Sequence, residues 1–206
     1  GLGSAPYAWM YAVTPTGFSR LSSGFLTPPP PGDIRTFRWS RDDQYIFLGS
    51  GSEVFAYKRS GDQWVQVASA TVTGTVYSIG VNPTTDRVVV GTTSSPYIND
   101  FTYENDTFTA TGFDFAYPNR GDQAAFSPSG KYLAIGCTSG AGLRIYSFDG
   151  STYNSTNSFG NIYLGGFGTL PRALHWGEDD KQLFVQQYYS GNAFKYDSAT
   201  DQWLQM

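Results

Sequence analysis

The sequence has very few of the side chains on which disulfide, metal and thiol chemistry depend. Its 206 residues include one cysteine, Cys137, and one histidine, His175. A single cysteine excludes an internal disulfide and a cysteine-rich metal site. One cysteine with one histidine cannot fill a typical zinc site either. We therefore expect neither a metal nor a cofactor.

Charge and long apolar runs are scarce as well. Charged residues make up 15% of the chain, the formal net charge is −4, and no basic stripe is present that could neutralise phosphates. These features argue against nucleic acid as a partner. Hydrophobic residues reach 40% but never form a run long enough to span a bilayer, so we expect no membrane partner. The sequence begins at Gly1 without signal-peptide features, and we expect it to start within a longer or processed polypeptide.

No catalytic constellation is visible around the two reactive side chains. No serine on a nucleophile elbow accompanies His175, so a Ser-His-Asp triad has no support. Cys137 follows Gly136 at the end of a predicted strand, which favours a structural thiol. The acidic pairs Asp42-Asp43 and Asp179-Asp180 fall in turns, where such residues serve the backbone. The sequence therefore predicts a protein that is not an enzyme.

Aromatic residues, at 17%, and 24 glycines dominate instead, as is typical of short strands joined by tight turns. The stretch from Asp122 to Tyr153 shows the unit, which reads as four short strands separated by three turns. Each turn carries Gly, Pro, Ser or Asp.

This unit recurs along the chain at a spacing of about 45 residues, which is the range of propeller repeats. One anchor lies at the end of the first strand and a second is the aromatic residue that opens the fourth strand. The first anchor comprises Trp39, Val81, Phe126 and Trp176, and the second comprises Phe18, Trp64, Phe108, Tyr153 and Trp203.

The repeat predicts an all-β fold, a β-propeller of four-stranded antiparallel blades, because short sheets that are apolar on both faces need a neighbour on each side. A β-sandwich would not predict so regular a repeat. We expect a single propeller segment over 1–206, forming a partial ring of four full blades and one half-blade. The half-blade covers 1–21, and the blades cover about 34–67, 76–111, 122–157 and 172–206. The proline-rich run from Leu26 to Gly32 is predicted to be an extended connector.

The register predicts which side chains are buried and whether the ring closes. The residues expected in the core are Phe126, Leu133, Ile135, Ile145, Phe148, Trp39 and Trp176. A half-blade has an open hydrogen-bonding edge, so we expect the ring to be completed by further blades or by another chain. The protein would then be oligomeric or part of a larger chain.

The segment from Ala125 to Gly136 resembles the WD-repeat family of propellers. The segment from Tyr57 to Trp64 and the Ser-Pro-Tyr sequence before a strand look like the degenerate repeats of tailed-bacteriophage virion proteins and bacterial propellers. The Gly-His and Trp-Asp dipeptides of standard WD repeats are missing. The resemblance implies a scaffold or binding platform.

One end of the predicted propeller collects exposed aromatic residues and two arginines at blade junctions. Such a composition is typical of recognition surfaces for sugars or proteins, with the alternative that several of the rings pack between blades. The candidate binding residues are Tyr7, Trp9, Tyr97, Arg120, Arg172, Tyr188 and Tyr189.

The sequence therefore favours a non-enzymatic binding or structural propeller, a phage virion or bacterial surface component that is extracellular or virion-borne. Its partner would be a protein or a surface glycan. The alternative is a glycan-active hydrolase or lyase, or a lectin. An enzyme would need paired carboxylates in the channel. The inward-starting positions Arg35, Tyr77, Asp122 and Arg172 supply only one.

Overall fold

The computed structural model of the protein describes residues 11–20, 25–116, 119–137, 142–154, 171–187, 191–200 and 202–206. Within these ranges every regular element is a β-strand. The strands are rich in Val, Ile, Tyr and Phe, which suit a pleated, half-buried surface. None of the described residues forms a helix that is long and apolar enough to cross a membrane.

Four antiparallel sheets follow one another along the chain, and each is one blade. Blade 1 contains β4 (Ile34–Trp39), β5 (Tyr45–Ser50), β6 (Glu53–Ser60) and β7 (Gln63–Thr71). Blade 2 contains β8 (Val76–Val81), β9 (Arg87–Thr92), β10 (Ile98–Glu104) and β11 (Thr107–Ala110). Blade 3 contains β12 (Gly121–Phe126), β13 (Tyr132–Cys137), β14 (Leu143–Phe148) and β15 (Tyr153–Asn154). Blade 4 contains β16 (Ala173–Trp176), β17 (Gln182–Gln186), β18 (Gly191–Asp197) and β19 (Gln202–Gln205).

Three further strands precede the first blade. The strands β1 (Tyr11–Thr14) and β2 (Gly17–Arg20) form a two-stranded antiparallel sheet within the range predicted for the half-blade, and Val13 and Phe18 are exposed on it. The strand β3 (Leu26–Thr27) pairs in parallel with the outer strand of blade 1, where Leu26 lies opposite Trp64. The connector is therefore extended as predicted, but its first two residues add a fifth strand to blade 1 before the prolines begin.

The blades pack radially through their first strands, so that β4 lies against β8, β8 against β12, and β12 against β16. Each of the three junctions holds its own apolar cluster, centred on Ile79 between blades 1 and 2, on Leu133 between blades 2 and 3, and on Ile145 between blades 3 and 4. The predicted propeller of four-stranded blades is thus confirmed. The first strands line its inside, and we call them the inner strands.

Hydrogen bonds between turns also join the blades, at the end where the inner strands finish. Arg41 donates to the carbonyl of Thr84 at 2.8 Å, and the Asn82 amide donates to the carbonyl of Gly130 at 2.9 Å. The backbone N–H of Ser129 donates to Asp180 at 3.0 Å. The backbone supports the predicted turn role of the acidic pairs. Asp43 and Asp180 have positive φ angles of 56° and 59°, and Gly130, in the corresponding turn of blade 3, has a φ of 74°.

A buried ion pair with two hydroxyl partners fixes blade 2 to blade 3. Arg87 pairs with Asp100, whose side chain is fully buried, and donates to the carbonyl of Ser151 in blade 3. The Tyr153 hydroxyl donates to the other Asp100 oxygen at 2.9 Å, and the Thr111 hydroxyl donates at 2.6 Å to the oxygen that Arg87 contacts. Burial raises the pKa of the Tyr153 phenol, and the Asp100 charge raises it further. The phenol therefore stays protonated and continues to donate.

Most of the predicted core is confirmed. Leu133, Ile135 and Ile145 are fully buried, and Phe148 and Trp176 retain 6% and 7% exposure. Cys137 is buried in the cluster between blades 2 and 3. Phe126 packs against that same cluster but is only half-buried, so its assignment to the closed core was wrong.

The prediction for Trp39 was also wrong, because Trp39 is 43% exposed. Its counterpart Trp176 packs on Tyr132 of the preceding blade and donates to the Ala125 carbonyl at 3.0 Å. Trp39 lies on the face of blade 1 that points away from blade 2. None of the described elements forms a blade against that face in the way that blade 3 does for Trp176. Among the described residues, its ring packs edge-on against Trp64 of its own blade, at 5.2 Å between centroids.

Candidate functional site

The inner strands of blades 1 to 3 carry a β-bulge at the same place, near the end where each strand begins. The extra residues at these bulges are Arg35 in β4, Tyr77 in β8 and Asp122 in β12. Blade 4 has a related arrangement. The backbone N–H of Arg172 donates to the Gln186 carbonyl at 2.7 Å, and Gln186 is also the partner of Ala173, the first residue of β16. A bulge re-aims the side chain of its extra residue. The scaffold therefore directs four polar side chains, of three residue types, to one end.

Glycines at the end of each second strand allow the bulged segments to approach. A Cβ on Gly91 would clash with the backbone oxygen of Gly121, the residue just before the Asp122 bulge. A Cβ on Gly136 would lie 2.7 Å from the Pro171 ring, next to Arg172, and Gly49 meets Val76 in the same way. Only a residue without a side chain fits such a contact.

The residues that begin the inner strands line a cavity of about 490 Å³. We call this cavity the mouth. Its lining consists of Asp33, Ile34, Arg35, Tyr77, Asp122, Gln123, Pro171 and Arg172. The volume lies in the range of about 300–1,000 Å³ that is typical of small-molecule sites. Polar groups contribute most of its lining, which suits a polar ligand.

Two arginines meet the ring of Tyr77 at the mouth. The guanidinium carbon of Arg120 lies 4.6 Å from the ring centroid and that of Arg35 lies 5.1 Å from it. Both distances fall within the range of a cation–π interaction, which holds an arginine while leaving its N–H groups available. The ring therefore orients both cations without neutralising them.

The charges at the mouth do not balance. Arg120 donates from Nε to the carboxylate of Asp122 at 2.6 Å, and the Asp122 side chain is only 8% exposed. The pairing of Arg120 with Asp122 leaves Arg35, Arg172 and Asp33 as the other charged groups at the mouth. Two of these three groups are guanidinium groups, in a chain whose net charge is −4.

The predicted binding residues divide into three groups. Arg120 and Arg172 lie at the mouth, where the blade-junction interpretation expected them. Tyr97 is half-buried and packs against the cluster between blades 2 and 3, beside the mouth wall at Gly121. The remaining four residues lie outside the described part of the chain, namely Tyr7, Trp9, Tyr188 and Tyr189.

Arg35, Tyr77 and Asp33 were not among the predicted binding residues, although they line the mouth. The sequence identified Arg35 and Tyr77 as inward-starting positions but assigned them no ligand. The available signal was that these repeat-equivalent positions are Arg, Tyr, Asp and Arg, which are all polar, whereas the repeat anchors are apolar or aromatic. Asp33 adds a second carboxylate to the one that the sequence counted there.

A second cavity of about 440 Å³ lies farther along the inner strands. It contains the exposed His175 and Arg38, which occupy equivalent positions in β16 and β4. No group of three or more His, Cys, Asp or Glu side chains suited to a metal ion occurs among the residues that the structure describes.

No known family model matches this sequence, and no curated protein matches it either. Solved structures do resemble the fold. A functionally unknown protein from Desulfotomaculum acetoxidans DSM 771 matches with a TM-score of 0.77 at 13% identity, over 96% of this chain and 61% of that one. A candidate 6-phosphogluconolactonase from Bacteroides uniformis ATCC 8492 matches with a TM-score of 0.74 at 12% identity, over 96% and 62%.

A third structure is explicitly a propeller, namely the β-propeller domain of Cps50 (Swd1) from Myceliophteria thermophila. Its TM-score is 0.62 at 14% identity, over 89% of this chain and 57% of that one. The chain therefore has a β-propeller fold, and it spans about three fifths of the length of the first two structures. At such low identities the likeness concerns the fold alone.

Proposed function

We propose that this chain is a non-enzymatic binding propeller of a phage virion or a bacterial surface, acting outside the cell or on the particle. Its role is display, in which a rigid arc of blades holds the mouth open to a surface glycan. The blades supply rigidity, and the bulged inner strands supply the contacts.

The observation that carries the proposal is the variation of side chains at repeat-equivalent bulges. The backbone feature recurs in three blades, yet its extra residue is Arg35, Tyr77 or Asp122. A bulge that served the sheet alone would not place three different polar groups into one cavity. A glycan is favoured over a protein partner because the mouth is concave, and ligand sites for small groups are concave.

A glycan array tests the proposal. Three proteins are applied to immobilised bacterial surface glycans. They are the wild type, a mouth variant that combines Arg35→Gln with Tyr77→Ala, and the variant Arg59→Gln. Arg59 is an exposed arginine near the end of β6, away from the mouth, and serves as the matched control. We expect the wild type and Arg59→Gln to bind one class of glycan and the mouth variant to lose it.

Failure of all three proteins to bind any glycan would contradict the proposed function. Retained glycan binding by the mouth variant would show that the glycan binds to another surface of the protein. Binding to a purified surface or virion protein, without glycan binding, would identify a protein partner instead.

A second candidate is a glycan-active or lactone-cleaving enzyme. Two carboxylates at the mouth, Asp33 and Asp122, are the observation that favours it. The close contact of Asp122 with Arg120 weakens it, because Arg120 already occupies one carboxylate oxygen of Asp122. Product release from array-positive glycans by the wild type, with loss in Asp122→Asn, would establish this alternative.

A further inference from the structure

Arg35 is the mouth residue whose charge is least compensated. It is exposed, lines the cavity and contacts the Tyr77 ring, and no ion pair joins it to any residue that the structure describes. Asp33 lies two positions earlier and also lines the mouth, without an ion pair among the described residues. A guanidinium in this setting keeps several N–H donors for a ligand.

Two guanidinium groups line the cavity, those of Arg35 and Arg172. Arg120 lies on the same tyrosine ring but is paired with Asp122. An anion placed between Arg35 and Arg172 would be attracted by both charges. The planar guanidinium also matches carboxylate and phosphate groups, to which it donates two parallel hydrogen bonds.

We infer that the mouth binds a sugar that carries an anionic group, with its carboxylate or phosphate held by Arg35 and Arg172. The cavity of about 490 Å³ has room for one such residue, and the Tyr77 ring stands beside the position of the anion. The inference rests on the proposed binding function and specifies the ligand class for it.

Calorimetric titration with three small probes tests this inference. Sodium D-glucuronate carries the carboxylate, D-glucose 6-phosphate carries the phosphate, and D-glucose is the neutral control. The proteins are the wild type, Arg35→Gln, Arg172→Gln and the distant control Arg59→Gln. Arg35 and Arg172 are both exposed, so these variants should keep the wild-type thermal midpoint.

We expect the wild type and Arg59→Gln to bind at least one acidic probe and not glucose. A lost charge-assisted hydrogen bond is worth about 1.5–3 kcal/mol, so each mouth variant should weaken binding by about tenfold or more. Raising sodium chloride from about 50 to about 300 mM should also weaken binding of the acidic probe, because screening acts on the exposed guanidinium groups. Preference for glucuronate over glucose 6-phosphate, or the reverse, identifies which anionic group the mouth selects.

Equal binding of glucose and the acidic probes would overturn the inference, as would absence of binding by all three. Unchanged affinity in both mouth variants would overturn it too. The two proposals fail separately. If neutral glycans bind on the array and the acidic probes do not bind, the proposed binding function holds and the anion site is refuted. If the acidic probes bind and no array glycan does, the anion site holds and the glycan function is refuted.

Discussion

Aspartates in the turns accept hydrogen bonds from the residues that follow them. Asp149 accepts from the backbone of Ser151 and Thr152 at 2.9 and 2.8 Å, and Asp197 accepts from the backbone of Ala199 at 2.9 Å. These bonds favour the charged carboxylate, so they lower the pKa of both groups from the ordinary value. Each turn is therefore an acid-sensitive contact on the surface.

The sign of the pH dependence follows from these lowered pKa values. A carboxyl whose pKa is lowered by folding contributes stability above its unfolded pKa of about 3.9 and loses it as the pH falls through the folded value. Replacing Asp149 and Asp197 together by Asn keeps the acceptor oxygen and removes the titration. We expect the thermal midpoint of the wild type to fall more than that of the variant between about pH 5 and about pH 2.5.

Differential scanning calorimetry at matched ionic strength provides the measurement. Replacing Asp62 by Asn is the control, since this carboxylate lies in the turn between β6 and β7 and accepts no hydrogen bond among the described contacts. Equal acid sensitivity of the wild type and the turn variant would show that these turns do not supply the effect.

At the scale of elements, the end of each second strand decides whether the next blade can pack. Gly49, Gly91 and Gly136 occupy this position in blades 1 to 3, and each is in close contact with the start of the following inner strand. Blade 4 has Gln186 at the same position, and its side chain is exposed. Glycine therefore occupies this position in the blades against which a following blade packs, and a larger residue occupies it in blade 4.

Adding a methyl group at Gly91 should therefore disturb both the junction and the mouth. Its Cβ would meet the carbonyl of Gly121, which is backbone and cannot rotate away. We expect Gly91→Ala to lose about 1–3 kcal/mol of unfolding free energy and to weaken ligand binding, because Gly121 adjoins the Asp122 bulge. Gln186→Ala, at the equivalent exposed position, should change neither. Urea unfolding and probe titration measure the two effects, and a fully stable Gly91→Ala protein would refute the close contact.

The sequence predicted the elements well where local rules decide. Alternating apolar residues and Asp, Gly or Pro turns placed β12 to β14, and the repeat carried the same pattern to the other blades. The bulge at Tyr77 could not be predicted, because an extra residue in one strand is defined by its pairing with another strand. The burial of Trp39 was mispredicted for a related reason, since burial depends on a neighbouring blade rather than on the repeat.

At the scale of the whole molecule, blade 4 exposes a side chain at a position that the other three described blades bury. The central position of the second strand is Phe47 in blade 1, with 1% exposure, and Val89 and Ala134 are fully buried in blades 2 and 3. In blade 4 the same position is Phe184, which is 49% exposed. The opposite end differs, because the face of blade 1 that points away from blade 2 holds a closed cluster containing Phe55, Tyr57 and Trp64. Among the described blades, it is the outer face of blade 4 that leaves this position open to water.

A pair of equivalent substitutions measures this asymmetry. Phe47→Ala should cost about 3–5 kcal/mol of unfolding free energy, because it empties a closed junction. Phe184→Ala should cost below about 1 kcal/mol, since half of the ring is already exposed to water. Chemical denaturation of both variants, with the fold checked by circular dichroism, gives the comparison. Similar losses would show that another surface covers the blade 4 face in solution.

The central claim is that recognition occurs at the mouth, and a fluorescent label tests it most directly. Cys137 is fully buried, so a cysteine introduced at the surface is labelled selectively. An environment-sensitive dye is attached at Asp33→Cys, on the mouth, or at Asp62→Cys, in the turn at the opposite end, and sodium D-glucuronate and D-glucose 6-phosphate are added separately. We predict a saturable emission change at position 33 with at least one probe and none at position 62. A saturable change at position 62 with none at position 33 would contradict the account.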